Sequence, residues 1–238
     1  MREQPLWRPS LEQVAITNMT RFANDASSRW RRSFDDYAGL HQWSVEEPEE
    51  FWTSIWEWTG VIGTGSIDPV VLNAGQMPGA RWFPEVRLNF SRNLLRRQDS
   101  APALIFQAED KVTRSLSHAE LYRQVAGLAD ALQQAGIVPG DRVCGFMPNM
   151  PETVVAMLAS AAIGAVWSSC SPDFGVQGVL DRFGQISPRV LFSADGYWYN
   201  GKAHNSLEKL REIEKGLPSL EHTVVVPLVS SDPDLSGN

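Results

Sequence analysis

At 238 residues, with 43% hydrophobic and 21% charged residues and a net charge of −7, the chain has the make-up of a folded protein. It is long enough for one large domain or two small ones, and disorder over most of its length is excluded. The acidic balance also excludes broad electrostatic binding to nucleic acid or anionic membrane, which needs clustered Lys and Arg.

Seven of the nine tryptophans lie at or before position 82, in a stretch rich in Pro, Gly and charge that shows no strand–helix alternation. Ser10-x-x-Gln13 has the form of a capping box opening a helix toward Phe22. Ser44 and Pro48 precede a second helix, with Phe51, Ile55 and Trp58 on one face and Trp52 and Trp56 on the next, so broad burial of this helix is expected. The rings read as packing that seats the extension against a neighbouring domain, in preference to a ligand-binding aromatic cage.

After residue 100 the pattern changes. Two strands, 103–107 and 112–116, flank a turn containing Asp110. Ser117-x-x-Glu120 caps a helix whose apolar face is Leu121, Val125, Leu128 and Leu132, and Gly136 stops it. Strands at 143–147, 165–170, 189–194 and 223–228 then alternate with helices at 151–163, 176–186 and 206–215. This is the pattern of βαβ units: an α/β fold with an open, mostly parallel sheet, helices on both faces, preceded by a Trp-rich, mainly helical extension. The expected division is 1–92 for the extension and 93–238 for the α/β part. The strand at 223–228 is followed only by a Ser-, Asp- and Pro-containing loop, so either a sheet edge stays open or the chain is part of a longer protein.

The two cysteines, Cys144 and Cys170, sit in apolar strand-like runs and read as buried free thiols in a reducing compartment. The first ten residues lack the apolar core of a signal peptide and no run is long enough to span a membrane, so a cytoplasmic location is expected. No phosphate-loop, dinucleotide, nucleophile-elbow or zinc-protease motif is present, and the four histidines are scattered. Residue chemistry alone assigns no catalytic residue and no metal ligand. Ligands of open α/β sheets bind outside the carboxyl ends of the strands, and two such ends carry unusual loops: 169–175 and 194–202. Together they offer backbone amides, aromatic planes and Lys202 to a nucleotide phosphate. The plainer alternative, aromatic packing with Lys202 as a solvated turn residue, stays open at this point.

Those residues also carry a resemblance. The run Gly140-Asp141-Arg142-Val143 to Met147-Pro148-Asn149-Met150-Pro151-Glu152, continuing through Ile163-Gly164-Ala165-Val166-Trp167-Ser168, resembles the adenylate-forming acyl-CoA synthetases. Trp82-Phe83-Pro84 to Leu88-Asn89-Phe90 resembles the entry segment of their acetyl-CoA synthetase branch. Ser169–Gly175 and Ala194–Lys202 are closer to the branch that activates acetoacetate than to the acetyl-specific enzymes. The resemblance runs over essentially the whole chain. It implies a ligase that joins a carboxylate to ATP, with Mg2+, and then passes the acyl group to coenzyme A; the substrates would be acetoacetate, ATP and CoA, and the remaining partner the rest of the same chain. The family's Gly/Ser/Thr-rich phosphate loop and catalytic lysine are absent, so the chain resembles the first third of such an enzyme, inactive alone. The resemblance sets Ser171, Pro172 and Asp173 beside the adenine of CoA. It sets Tyr199 and Lys202 where acetyl-specific relatives carry Arg, so Lys202 keeps a charge for a phosphate and Tyr199 does not. A synthetase for another short acyl group, or a non-catalytic nucleotide-binding or docking module, are the alternative readings.

Overall fold

The structure, a computed structural model, describes residues 6–235. The expectations for residues 1–5 and for the last three residues of the C-terminal loop lie outside it. The chain divides into two compact units, with the boundary between Leu88 and Asn89.

The first unit begins with four helices: α1 (Leu11–Ala15), α2 (Asn18–Trp30), α3 (Tyr37–Glu46) and α4 (Pro48–Thr59). The capping box at Ser10 and Gln13 is present, but the expected helix toward Phe22 is two. Thr17 breaks it: its Oγ1 donates to the Val14 carbonyl and accepts the Thr20 amide, closing one helix and capping the next. Buried Phe22, Ala26, Leu40 and Trp43 form a small core, against which Trp30, Phe34, Phe51 and Ile55 pack. The aromatic rings thus find partners within the unit itself, with Phe51 edge-on to Phe22 at 6.0 Å and to Trp43 at 5.6 Å. Contrary to the broad burial expected of α4, only its Ser54 is fully buried, and Trp52 and Trp58 are each 40% exposed. Ser54 accounts for the inward face: its hydroxyl accepts the Trp30 indole N–H at 2.7 Å and donates to the Glu50 carbonyl. Two short ribbons, β1 (Gly63–Thr64) with β4 (Arg87–Leu88) and β2 (Val71–Leu72) with β3 (Arg81–Trp82), complete the unit.

The second unit opens with α5 (Phe90–Leu94) and the antiparallel ribbon β5 (Pro102–Ala108) and β6 (Val112–Ser117), followed by α6 (His118–Gln134). The capping box at the head of α6 is complete: Ser117 Oγ accepts the Glu120 amide, and the Glu120 carboxylate accepts the Ser117 amide at 2.8 Å. β7 (Arg142–Phe146), α7 (Pro151–Ala162), β8 (Val166–Cys170), α8 (Val176–Phe183) and β9 (Val190–Ala194) come next. The chain then makes a hairpin, β10 (Gly196–Tyr199) and β11 (Lys202–Asn205), and ends in α9 (Leu207–Gly216) and β12 (His222–Val226).

β12, β9, β7 and β8 form one fully parallel sheet in that order. Alternate residues on its strands feed two cores. Val143, Val190 and Phe192 pack with α6 and α7, while Cys144, Phe146 and Leu191 pack with α8 and α9. The open α/β sheet covered on both faces is therefore present as expected. Gly145 in the middle strand has no side chain because Trp167 occupies the space: a Cβ there would meet the indole at 2.6 Å.

Both cysteines are free and buried. Burial, and secondarily the neighbouring Cys170, push the Cys144 thiol up to about 12, and burial raises Cys170. At pH 8 the thiolate population therefore lies far below that of an exposed cysteine. The native chain should react with Ellman's reagent only slowly, and both thiols should titrate at once in guanidinium; rapid native labelling of both would contradict this packing.

Candidate functional site

The order β12–β9–β7–β8 means that the chain leaves β7 toward one side to make β8 and returns across it to make β9. Ligands of open α/β sheets gather where connections diverge in this way. A cavity of about 460 Å³ lies there, lined by Pro148 and Asn149 beyond β7, Ser171, Pro172 and Asp173 beyond β8, and Tyr197 and Tyr199 of the hairpin beyond β9. Three adjacent strand ends thus supply the whole lining.

The loop after β8 is held from both neighbouring helices. Lys209 of α9 donates to the Pro172 and Phe174 carbonyls, each at 3.3 Å, and the Arg182 guanidinium of α8 lies 4.4 Å from the centre of the Phe174 ring. Pro172 is buried, while Ser171 and Asp173 are exposed toward the cavity.

The hairpin is built on Asn200-Gly201, with φ of 54° and 74°, the pair of left-handed residues that a two-residue hairpin turn requires. It pairs Tyr199 with Lys202 and Tyr197 with His204, whose rings stack at 5.0 Å and 16°. The Gly201 amide donates to Glu109 Oε2 at 2.9 Å, so the tip of the β5–β6 ribbon steadies the turn. At the base of the hairpin Asp195 is 5% exposed. Its carboxylate accepts the amides of Leu228 (2.7 Å), Val229 (3.0 Å) and Ser230 (2.7 Å), and its own carbonyl accepts the Ser206 amide at 2.9 Å. One side chain therefore ties the hairpin to the chain that leaves β12.

Of the residues singled out in the sequence, Ser171, Pro172, Asp173 and Tyr199 come together around the cavity. Lys202 does not line it; it sits opposite Tyr199 on the exposed outer strand. The segment read as a loop over 194–202 is a hairpin for most of its length, because Asn200-Gly201 lets the two strands pair. Sequence reasoning missed Tyr197, whose place follows from the two-residue period of that hairpin, and Asn149, which follows β7 in the Met147–Pro151 stretch. Among the described residues no three His, Cys, Asp or Glu side chains gather as metal ligands, and no helix is long and apolar enough to cross a membrane.

Residues 90–237 match the AMP-binding enzymes, and residues 37–94 match the acetyl-coenzyme A synthetase N-terminus. The chain belongs to the AMP-binding enzyme family. Within that family, acetoacetyl-coenzyme A synthetase of Rhizobium meliloti is 50% identical over 225 residues, covering 94% of this chain and 34% of its own length. The Macaca fascicularis acetoacetyl-CoA synthetase is 40% identical over 231 residues, 96% of this chain and 34% of the relative. The structure of acetoacetyl-CoA synthetase from Streptomyces lividans superposes with a TM-score of 0.91 at 43% identity, covering 98% of this chain and 36% of that one. The chain thus spans about a third of the length of the AMP-binding relatives it matches.

Proposed function

We propose that this chain is the N-terminal part of an ATP-dependent acetoacetate–CoA ligase, with residues 1–92 as the N-terminal extension and 93–238 as the first part of the AMP-binding domain. The observation that carries the reading is the likeness to acetoacetyl-CoA synthetases over nearly every residue of this chain, in sequence and in fold. The whole enzyme would form acetoacetyl-adenylate from acetoacetate and ATP and pass the acyl group to CoA. Magnesium would accompany the ATP of the whole enzyme; among the described residues no three His, Cys, Asp or Glu side chains gather to hold it. The two unbridged, buried cysteines support a reducing, cytoplasmic setting.

Within this chain the cavity at the strand ends would seat the nucleotide of CoA. Its volume, its two tyrosines and its few polar groups fit a purine ring, and Lys202 across the hairpin from Tyr199 offers a charge to a phosphate. The thiol that attacks the adenylate belongs to CoA; these residues would bind and orient its distant end. A Lys–phosphate contact at an exposed strand contributes at most about 1.5–3 kcal/mol. In the full-length enzyme Lys202→Ala should therefore raise the KM for CoA by one to two powers of ten, at about 1.4 kcal/mol per decade. Dephospho-CoA should discriminate less between the two proteins, since the phosphate partner is gone. An unchanged KM for CoA together with a collapse of ATP–pyrophosphate exchange would remove Lys202 from this role.

A further inference from the structure

The tryptophans of the first unit differ in how they are held. Trp30 and Trp43 are anchored by their indole N–H groups, on Ser54 at 2.7 Å and on the Glu50 carboxylate at 2.9 Å. Trp52 and Trp82 have no such anchor: neither indole N–H finds an acceptor among the described residues, and the two residues stay 40% and 43% exposed. Their rings meet at 5.6 Å with planes 59° apart, and with Phe83 they line a cavity of about 190 Å³. Trp82 and Phe83 are adjacent, and in an extended strand their side chains would point to opposite faces. Phe83 breaks that alternation with a φ of 45°, a left-handed conformation that is costly for an aromatic residue. Its N–H donates to the Val70 carbonyl at 2.7 Å and its carbonyl accepts the Val86 N–H at 2.9 Å, which holds it there. The backbone is thus bent where a third ring joins the cavity.

We propose that Trp52, Trp82 and Phe83 form an aromatic cage for the trimethylammonium head of a small, free quaternary ammonium solute of the choline type. The inference is independent of the reading of the strand-end cavity as a CoA site. A lining of three rings has no carboxylate, carbonyl or hydroxyl for a polar ligand. What it offers is π-faces, which attract a cation within about 6 Å of a ring centre. A primary ammonium would leave its N–H groups without acceptors in such a lining, at a cost in desolvation. A quaternary ammonium has no N–H to satisfy and sets methyl groups against the rings, so it suits both the charge and the apolar character of the walls. The placement of charge agrees. Glu49 lies three residues before Trp52 on α4, hence on its side of the helix, and Glu85 lies two residues after Phe83. Neither carboxylate has an ion-pair partner among the described residues, whereas Glu47, Glu50 and Glu57 of the same region are each paired with an arginine. Arg81 precedes Trp82 on β3 and so belongs to the opposite face of that ribbon. The small volume admits one such head and leaves the rest of the solute in water.

The test is a titration followed by fluorine NMR of the fluorotryptophan-labelled chain, at matched ionic strength. The ligands are choline and 3,3-dimethylbutanol, its uncharged isostere in which carbon replaces nitrogen. Choline should shift the Trp52 and Trp82 signals with a Kd on the order of millimolar. The isostere should bind about tenfold more weakly, as expected where two or three half-exposed rings each attract the charge modestly. Trp82→Leu keeps an apolar wall and removes a π-face, so it should bring the two ligands close to parity. That comparison is internal to each protein, so partial loss of folded material leaves it intact. Equal binding of the two ligands by the wild-type chain would show a merely apolar pocket and overturn the proposal; so would choline that shifts neither signal. A full-length enzyme in which this chain is the first third should give the same preference. Loss of choline binding there would mean that the rest of the protein covers the cage, and would overturn it equally. Phosphatidylcholine vesicles carry the same head group. Sedimentation of the protein with them, reversed by choline, would retain the cage and overturn the free solute as its occupant.

Discussion

The 238-residue chain on its own should give no acetoacetate-dependent ATP–pyrophosphate exchange above a no-protein control. Adenylation needs preorganised donors around the charge that develops on the transferring phosphoryl group. Nothing in this sequence supplies a Gly-rich loop that ends in a phosphate-contacting Lys, and the cavity of this chain carries one carboxylate and no cation in its lining. Its relatives are almost three times as long. The expected effect is loss of the reaction, not a modest decrease, because the missing groups act as a unit with ATP. The control is the same assay on a full-length enzyme in which this chain is the first third. Heat-labile exchange by the isolated chain would show that the chemistry resides here after all.

Much of the second unit was legible because its signals are local. Ser117 and Glu120 are three residues apart and cap α6 as their spacing demands, and the strand at the heart of the sheet shows its burial in the run Val143–Phe146. The two-residue Asn200-Gly201 turn was equally local, since Asn-Gly is the pair that such a turn favours and three strand-forming aromatics precede it. The tyrosines and tryptophan around it read as loop aromatics, which hid that signal. In the first unit, the break at Thr17 is a contest between two caps within a few residues, and hydrophobic periodicity cannot see it. The cavity was half legible: both loops follow strands and so had to reach the same edge of the sheet, but Asn149 joins them only once the strand order places β7 between β9 and β8. Asp195 was not legible at all. Its three amide partners lie more than thirty residues away in sequence, and no spacing rule connects a strand-end Asp to a later strand's exit.

Asp195→Ala should be among the most destabilising single substitutions in the chain. The wild-type carboxylate is nearly buried and receives three amides from consecutive residues, two on Oδ1 and one on Oδ2. Hydrogen bonds to a charged acceptor contribute about 1.5–3 kcal/mol each, and orphaned donors that can partly reach water recover some of that. Leu228 and Val229 are half-buried and Ser230 is exposed, so recovery is incomplete at the first two. The expected loss is about 3–5 kcal/mol, a large share of the 5–15 kcal/mol typical of a whole domain. For a unit of this size that corresponds to a fall in Tm of about 10 °C. Asp195→Asn should cost less, because its remaining oxygen can still accept the Leu228 and Val229 amides while its NH2 faces the Ser230 N–H. Thermal melting of the three proteins, read by circular dichroism, should rank wild type above Asn above Ala. Protection of the Leu228 and Val229 amides from hydrogen exchange should fall in the same order. Equal melting temperatures for Ala and wild type would mean that the chain leaving β12 is held by its strand pairing with β9, and that Asp195 adds nothing.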